Sequence, residues 1–217
     1  MRNRIVVIGG HGKVARLLLP LLTDAGHQVT AIIRNPDHTA AVAATGASPL
    51  VADVERLDTG ALAELFTGHD TIIWSAGAGG GDPTRTFAVD RDAAIRSMDA
   101  AIQAGVPRYL MVSYFGAGPD HGVPQDNPFF AYAEAKAAAD RHLAGTTLSW
   151  TVLAPSRLTD DPATGRIETA AQGATGGAVS RADVAATILA ALHDPSTVGR
   201  TIEFNNGPTP VAEALRA

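Results

Sequence analysis

The sequence predicts a doubly wound α/β fold, a mainly parallel sheet with helices on both faces. Two observations carry that expectation. Strand-like and helix-like segments alternate along all 217 residues. The first strand-like run, residues 4–8, is short and β-branched and ends at glycine, which suits a buried parallel strand. There is no internal repeat and no linker long enough to divide the chain. Residues 1–217 are therefore expected to form one domain, with a small substrate-side region over about 155–217.

The elements follow in order. Residues 13–25 read as a helix stopped by Gly26. Pro20 lies inside it and is expected to kink it or end its first half, since proline removes a helix hydrogen bond. A strand over 29–33 closes at Arg34-Asn35-Pro36. A short helix over 39–45 meets Gly46, and a strand over 49–51 leads to Asp53. A helix over 59–66 ends at Gly68, and a strand over 71–74 runs into a flexible loop, 76–82. A long helix spans 83–104, with Pro83 at its start and Gly105 past its end. A strand over 109–113 precedes a Gly-, Pro-, Asp- and Asn-rich loop, 116–128. An alanine-rich helix follows over 129–143, then a strand over 149–153. The chain closes with a helix over 181–193, N-capped by Ser180, and a last strand over 201–204. The stretch 159–177 shows little periodicity and receives no assignment.

Composition excludes several classes. With 46% apolar and 18% charged residues the chain is globular. A net charge of −5 without a basic stripe weighs against nucleic acid as a partner. The absence of cysteine removes disulfides, thiolate metal sites and cysteine nucleophiles. No His/Asp/Glu cluster has metal-ligand spacing, so no metal is expected. No Gly-x-Ser-x-Gly elbow supports a hydrolase triad. The apolar run 5–8 is too short for a signal peptide, and none approaches the roughly 20 residues of a membrane helix. The expectation by elimination is a cytoplasmic protein, monomer or homodimer, with a small-molecule substrate and no membrane partner. Of the 17 basic residues only Lys13 and Lys136 are lysines, which draws attention to both.

The turn Gly9-Gly10-His11-Gly12 follows a strand and opens a helix. Gly9, Gly12 and Ala15 have the spacing Gly-x-x-Gly-x-x-Ala. Gly9 allows the tight turn, Gly12 lets backbone approach a pyrophosphate, and Ala15 lets the helix pack close. Lys13 and Val14 then open the helix with free N–H groups at its positive end. The pattern points to a dinucleotide. Arg34 stands at the end of the second strand, where NAD-selective sites place a carboxylate, and can pair with a 2′-phosphate. The expected cofactor is NADP(H), with NAD less favoured. Lys13 can add charge for that phosphate, and His11 lies in the turn. Asp53 is placed to accept from an adenine amino group, with Val54 against the ring, although an aspartate there also caps turns. The small residues Ser75-Ala76-Gly77 let a cofactor cross the strand ends.

Tyr132 and Lys136 are one helical turn apart, and Ser113 ends the preceding strand. A carbonyl reduction needs a proton donor and a group that holds the carbonyl oxygen. On this reading the Lys136 ammonium lowers the Tyr132 pKa and bonds the nicotinamide ribose. Tyr132 donates the proton, and Ser113 orients the substrate oxygen. The same Tyr-x-x-x-Lys spacing also occurs on ordinary solvent-facing helices. Phe115, Phe129 and Phe130 flank the 116–128 loop and could wall the pocket, with the loop as lid, or serve as core residues; His121 is either a polar contact from the loop or solvated.

Taken together these residues resemble the short-chain dehydrogenase/reductase superfamily, in its small atypical branch. That branch includes proteins similar to biliverdin reductase B, flavin reductases and epimerase/dehydratase-like NAD(P)-binding proteins. The resemblance runs from Gly9–Gly12 through Arg34, Asp53-Val54, Ser75–Gly77 and Tyr132–Lys136 to Trp150–Leu158 and the helix after Ser180. It implies a Rossmann fold and a nicotinamide-side contact from the segment where the family reads Arg-Pro-Gly. Here that segment is Ala154-Pro155-Ser156, followed by Arg157, so Pro155 and Arg157 are the implied contacts. The leading expectation is an NADP-dependent oxidoreductase that transfers hydride to a small carbonyl, quinone or flavin. Two rivals are an NADP redox sensor without turnover and an epimerase/dehydratase-like enzyme.

Overall fold

The structure, a computed structural model, describes residues 2–79 and 81–217. Its first half is a run of strand–helix units: β1 (Arg4–Ile8), α1 (Lys13–Asp24), β2 (Gln28–Ile33), α2 (Thr39–Ala43), β3 (Ser48–Val51), α3 (Thr59–Phe66) and β4 (Thr71–Trp74). A long helical stretch follows as α4 (Pro83–Thr86), a π-helical turn (Phe87–Ala93) and α5 (Ala94–Gln103). Then come β5 (Arg108–Val112), α6 (Phe130–Ala144) and β6 (Ser149–Pro155). The last third holds β7 (Arg157–Thr159), β8 (Arg166–Thr169), β9 (Ala178–Ser180), α7 (Arg181–His193), β10 (Arg200–Asn206), β11 (Thr209–Pro210) and α8 (Val211–Ala214).

Nine strands make the main sheet in the order β11-β8-β10-β6-β5-β4-β1-β2-β3. From β3 through β10 every pairing is parallel; β8 and β11 add an antiparallel edge. The central order 3-2-1-4-5-6 reverses between β1 and β4, and such a reversal opens a crevice at the carboxyl ends of the strands. One face is covered by α1 and α7, whose Leu18, Leu19, Leu22, Val184 and Ile188 pack on Val7 and Leu110. The other is covered by α3, α5 and α6, with Leu62, Phe66, Met98 and Leu143 on Ile72, Trp74 and Met111.

Four expectations need correction. Pro20 does not end the first half of α1, which continues to Asp24. The buried stripe Val14, Ala15, Leu18, Leu19 and Leu22 is anchored on the sheet and α7, and that packing outweighs one missing hydrogen bond. The 83–104 helix carries a π-helical turn at its centre. The unassigned 159–177 stretch contains β8, paired antiparallel to β10 through Phe204–Thr169. The strand over 201–204 is not the last, because β11 and α8 follow it.

Candidate functional site

The glycine turn is knitted into the ends of two neighbouring strands. The Gly9 and Gly10 amides donate to the Ile32 carbonyl at 3.2 and 2.9 Å, and the Ser75 amide donates to the Ile8 carbonyl at 2.9 Å. Gly9 has φ +86°, and a Cβ on it would lie 2.7 Å from the Ala76 Cα, so no other residue fits without moving backbone. No side chain caps α1 and no acidic residue sits in its first turn. Its leading amides are left to an external acceptor.

This turn floors a cleft of about 340 Å³ over the carboxyl ends of β1–β4. Gly9, His11, Gly12, Arg34, Asp53, Val54, Ser75, Ala76 and Gly77 all line it. So do Asn35, His38, Glu55, Ala78 and Arg85. His11 stacks on His38 with ring centroids 3.5 Å apart. Desolvation first, then the neighbouring His38 and Arg16, hold His11 below its ordinary pKa. The Arg34 guanidinium lies 4.0 Å from Glu55, which also faces Arg85 at 3.5 Å. Asp53 does cap its turn: Oδ1 accepts from the Glu55 amide at 3.2 Å.

A second hollow, about 650 Å³, opens over the ends of β5 and β6. Its walls include Ser113, Tyr114, Phe115, Phe129, Tyr132, Pro155, Arg157 and Leu158. Tyr114, Phe129 and Tyr132 form a cluster with ring centroids 5.1–5.6 Å apart. Thr175, Gly176 and Gly177, from the stretch the sequence left unassigned, close one side.

Residues 9–195 match the family described as NAD(P)H-binding. The chain belongs to that NAD(P)H-binding family. It is 34% identical to the uncharacterized sugar epimerase YhfK of Bacillus subtilis, over 98% of this chain and 99% of that one. A Bacillus halodurans structure, provisionally an NAD-dependent epimerase/dehydratase, superposes with a TM-score of 0.90 at 30% identity and covers 99% of both chains. The oxidoreductase ylbE of Lactococcus lactis superposes at 0.85 with 28% identity, covering 98% of this chain and 95% of its own. The fold is thus the Rossmann-like α/β fold that it shares with these structures.

Five expected cofactor residues do not line the cleft over β1–β4: Pro155 and Arg157 line the second hollow instead, and Lys13, Val14 and Lys136 line neither. Val14 is buried at 7% exposure in the core, so only its backbone faces the turn. The Lys13 side chain is exposed and lies 3.5 Å from Asp160. In the second hollow Phe130 is missing from the wall; it meets the His121 ring edge-to-face instead. His121 is not solvated: its buried ring bonds Glu134 at 2.9 Å and accepts the Val123 amide at 3.0 Å.

The largest departure is Lys136. It is 1% exposed, and Nζ donates to the Val112 carbonyl at 2.8 Å and contacts the Met111 sulfur at 3.0 Å. Among the described residues none of its hydrogen bonds goes to Tyr132. Burial raises the Tyr132 pKa above its ordinary value, and Asp90, Asp140 and Tyr114 push the same way. The expected lowering by Lys136 is therefore reversed. Burial lowers the Lys136 pKa, against the pull of Asp140 and Asp90.

Both carboxylates were missed in the sequence. Asp90, 2% exposed on the π-helical turn, accepts the Ala78 amide at 2.9 Å and so fixes the Ser75–Ala78 wall. Asp140 accepts the Ser113 hydroxyl through Oδ2, while its buried Oδ1 has no partner among the described residues. The available signal was the four-residue repeat Tyr132, Lys136, Asp140 along one helix face. No signal marked Asp90, because its role depends on how the π-helical turn sits against β4. Among the described residues no three His, Cys, Asp or Glu side chains are grouped to hold a metal, and no helix is long and apolar enough to cross a membrane.

Proposed function

We propose that this protein is an NADP(H)-dependent oxidoreductase that reduces a small carbonyl, quinone or flavin in the aromatic hollow beside its dinucleotide cleft. One observation carries the reading. The cleft over β1–β4 and the hollow over β5–β6 lie along the same carboxyl edge of the sheet, and Ser113 and Tyr132 line the second. The glycine turn and the residues of the β1–β4 cleft would hold a dinucleotide beside the hollow. When bound, the nicotinamide supplies hydride chemistry at the mouth of the hollow.

The protein's own groups then have distinct tasks. Gly9, Gly12 and the first-turn amides of Lys13 and Val14 hold the pyrophosphate. Asp53 and Val54 border the adenine, and Ser75–Gly77 give room for the crossing. Arg34, more than half exposed and 4.0 Å from Glu55, stands at the rim where it can pair with a 2′-phosphate. Pro155 and Arg157 border the substrate side, where Tyr114, Phe129 and Tyr132 favour a flat, apolar partner. Ser113 holds the substrate oxygen. Lys136 acts from behind the site by fixing the end of β5.

The test is oxidation of NADPH and of NADH with a panel of carbonyls, quinones and flavins. Turnover with a preference for NADPH is expected. Tight binding without turnover of any acceptor would instead indicate a redox sensor. The names of the Bacillus relatives favour a second reading, epimerase or dehydratase chemistry, in which the dinucleotide is not consumed. Net NADPH consumption separates the two.

A further inference from the structure

The buried charges behind the hollow do not match a tyrosine-centred proton donor. Tyr132 holds its proton more tightly than a free phenol, and the ammonium that was to activate it is turned to the Val112 carbonyl. The hydroxyl that does have a partner capable of supplying a proton is that of Ser113.

We propose that Asp140 is a positioning residue for Ser113: it stays uncharged beneath the hollow and passes its proton to the Ser113 oxygen, so that Ser113 can give its own to the substrate oxygen. The inference rests on the reduction reading above. Three observations support it. Ser113 is 4% exposed, and its Oγ bonds Asp140 Oδ2 on one side while bordering the hollow on the other. Among the described residues Asp140 Oδ1 is buried without a partner, which is costly for a carboxylate. With an acid proton on Oδ2 donated to Ser113 Oγ, Oδ1 is a neutral carbonyl oxygen, for which it is tolerable, and the Ser113 hydrogen is released toward the hollow. Asp140 shares its one cation, the buried Lys136 ammonium, with Asp90, which also faces Arg85, so Asp140 is the less compensated of the two carboxyl groups.

Asp90 has the stronger claim to the charge, because a backbone amide donates to it. The groups that act electrically on or from Asp140 are Lys136 and Tyr132 on its own helix, Tyr109 on β5, and Ser113 and Tyr114 just beyond β5. Only Lys136 is cationic. Burial raises the Asp140 pKa, with Lys136 and Ser113 opposing it.

The step balances as follows. Hydride from the reduced nicotinamide adds to the carbonyl carbon, and the carbonyl π pair becomes a lone pair on oxygen. That oxygen takes the Ser113 proton while the Asp140 proton moves to Ser113 Oγ. The products are an alcohol, oxidised nicotinamide, neutral Ser113 and an Asp140 carboxylate, which regains a proton from water.

Two measurements test it. Infrared titration of the cofactor-free protein is expected to show a carboxylic-acid C=O stretch at neutral pH that is absent in Asp140→Asn and shifted in Ser113→Ala. A spectrum with no such band overturns the proposal whatever the activity. The second measurement is kcat/KM against pH with NADPH and an accepted carbonyl. Wild type is expected to lose rate as Asp140 ionises, and Tyr132→Phe is expected to keep that alkaline limb. Asp140→Asn is expected to lose the limb and to fall ~10²–10⁴-fold in kcat while binding NADPH as before. An unchanged profile in Asp140→Asn overturns the relay. Absence of wild-type turnover refutes the reductase reading, and the infrared band then still reports the Asp140 proton by itself.

Discussion

On the proposed reading the residue that most directly selects the cofactor is Arg34. Its side chain is 56% exposed, so its pairing with Glu55 across 4.0 Å is weak and leaves it free to meet an incoming phosphate. Removing one charge-assisted pair of this kind costs about 1.5–3 kcal/mol. Arg34→Ala is therefore expected to weaken NADPH binding about 10- to 100-fold and to leave NADH binding nearly unchanged, as titration calorimetry will read. Equal losses for both would remove the 2′-phosphate assignment. Gly9 is the least replaceable position. Gly9→Ala combines a positive φ with a 2.7 Å approach to Ala76 backbone. The variant is expected to lose roughly 1–3 kcal/mol of stability, and dinucleotide affinity with it. Tyr132→Phe keeps the aromatic cluster and removes a hydroxyl that is not the proton source. Its kcat is expected to fall by less than about tenfold, against the 10²-fold or more of a lost general acid.

Among the elements, α1 joins the cofactor cleft to the core. Its N-terminus faces the cleft, and its apolar stripe packs on the sheet and α7. Pro20 is tolerated because the stripe is buried on both sides of it. Pro20→Ala restores a donor to the helix, while the freer unfolded chain offsets part of the gain. A net stabilisation of about 1–2 kcal/mol in urea unfolding is expected. The stretch from α4 to α5 works differently. Its π-helical turn puts Asp90 under Ala78, so a distortion in one helix sets the position of the loop that walls the cleft. The long α6 gathers Tyr132, Lys136 and Asp140 on one face at three depths, from the hollow to the end of β5.

For the molecule as a whole, the antiparallel edge is held by Asp183, a fully buried N-terminal residue of α7. It accepts hydrogen bonds from the Thr164 and Gly165 amides, Ser180 Oγ and Asn206 Nδ2, and so ties α7 to β10 and to the approach to β8. Burial pulls its pKa up, but those donors outweigh burial and hold it below the ordinary carboxylate range. A depressed folded pKa stabilises the protein above the unfolded pKa of about 3.9, and the contribution fades as pH falls through the folded value. Asp183→Asn is expected to lower stability at pH 7 by at least about 2 kcal/mol and to flatten the acid side of the stability profile. Dinucleotide binding also couples to the whole fold. NADPH at 100 times its Kd adds about 2.7 kcal/mol, which for a chain of this size raises Tm by roughly 5–10 °C. No shift in a thermal scan would count against the cleft.

The sequence by itself determined the strand–helix alternation, the glycine turn and the strand-end Arg34. Each depends on local chemistry: backbone freedom at glycine, apolar period, and the reach of one side chain. Ser113, Tyr132 and Lys136 were legible as residue types, the last two at a helical spacing; Ser113 and Tyr132 line one hollow, and Lys136 lies behind it. Their hydrogen-bond partners were not legible, because those depend on burial and on groups distant in the chain. Lys136 turns to the Val112 carbonyl, and Asp140 takes the Ser113 hydroxyl, only once α6 packs against β5. The substrate-side strands stayed hidden for a similar reason. β8 pairs with β10 far along the chain and carries too few residues for a period to show. Local pattern fixes which elements form; the dielectric and the contacts created by packing fix which proton each buried group keeps.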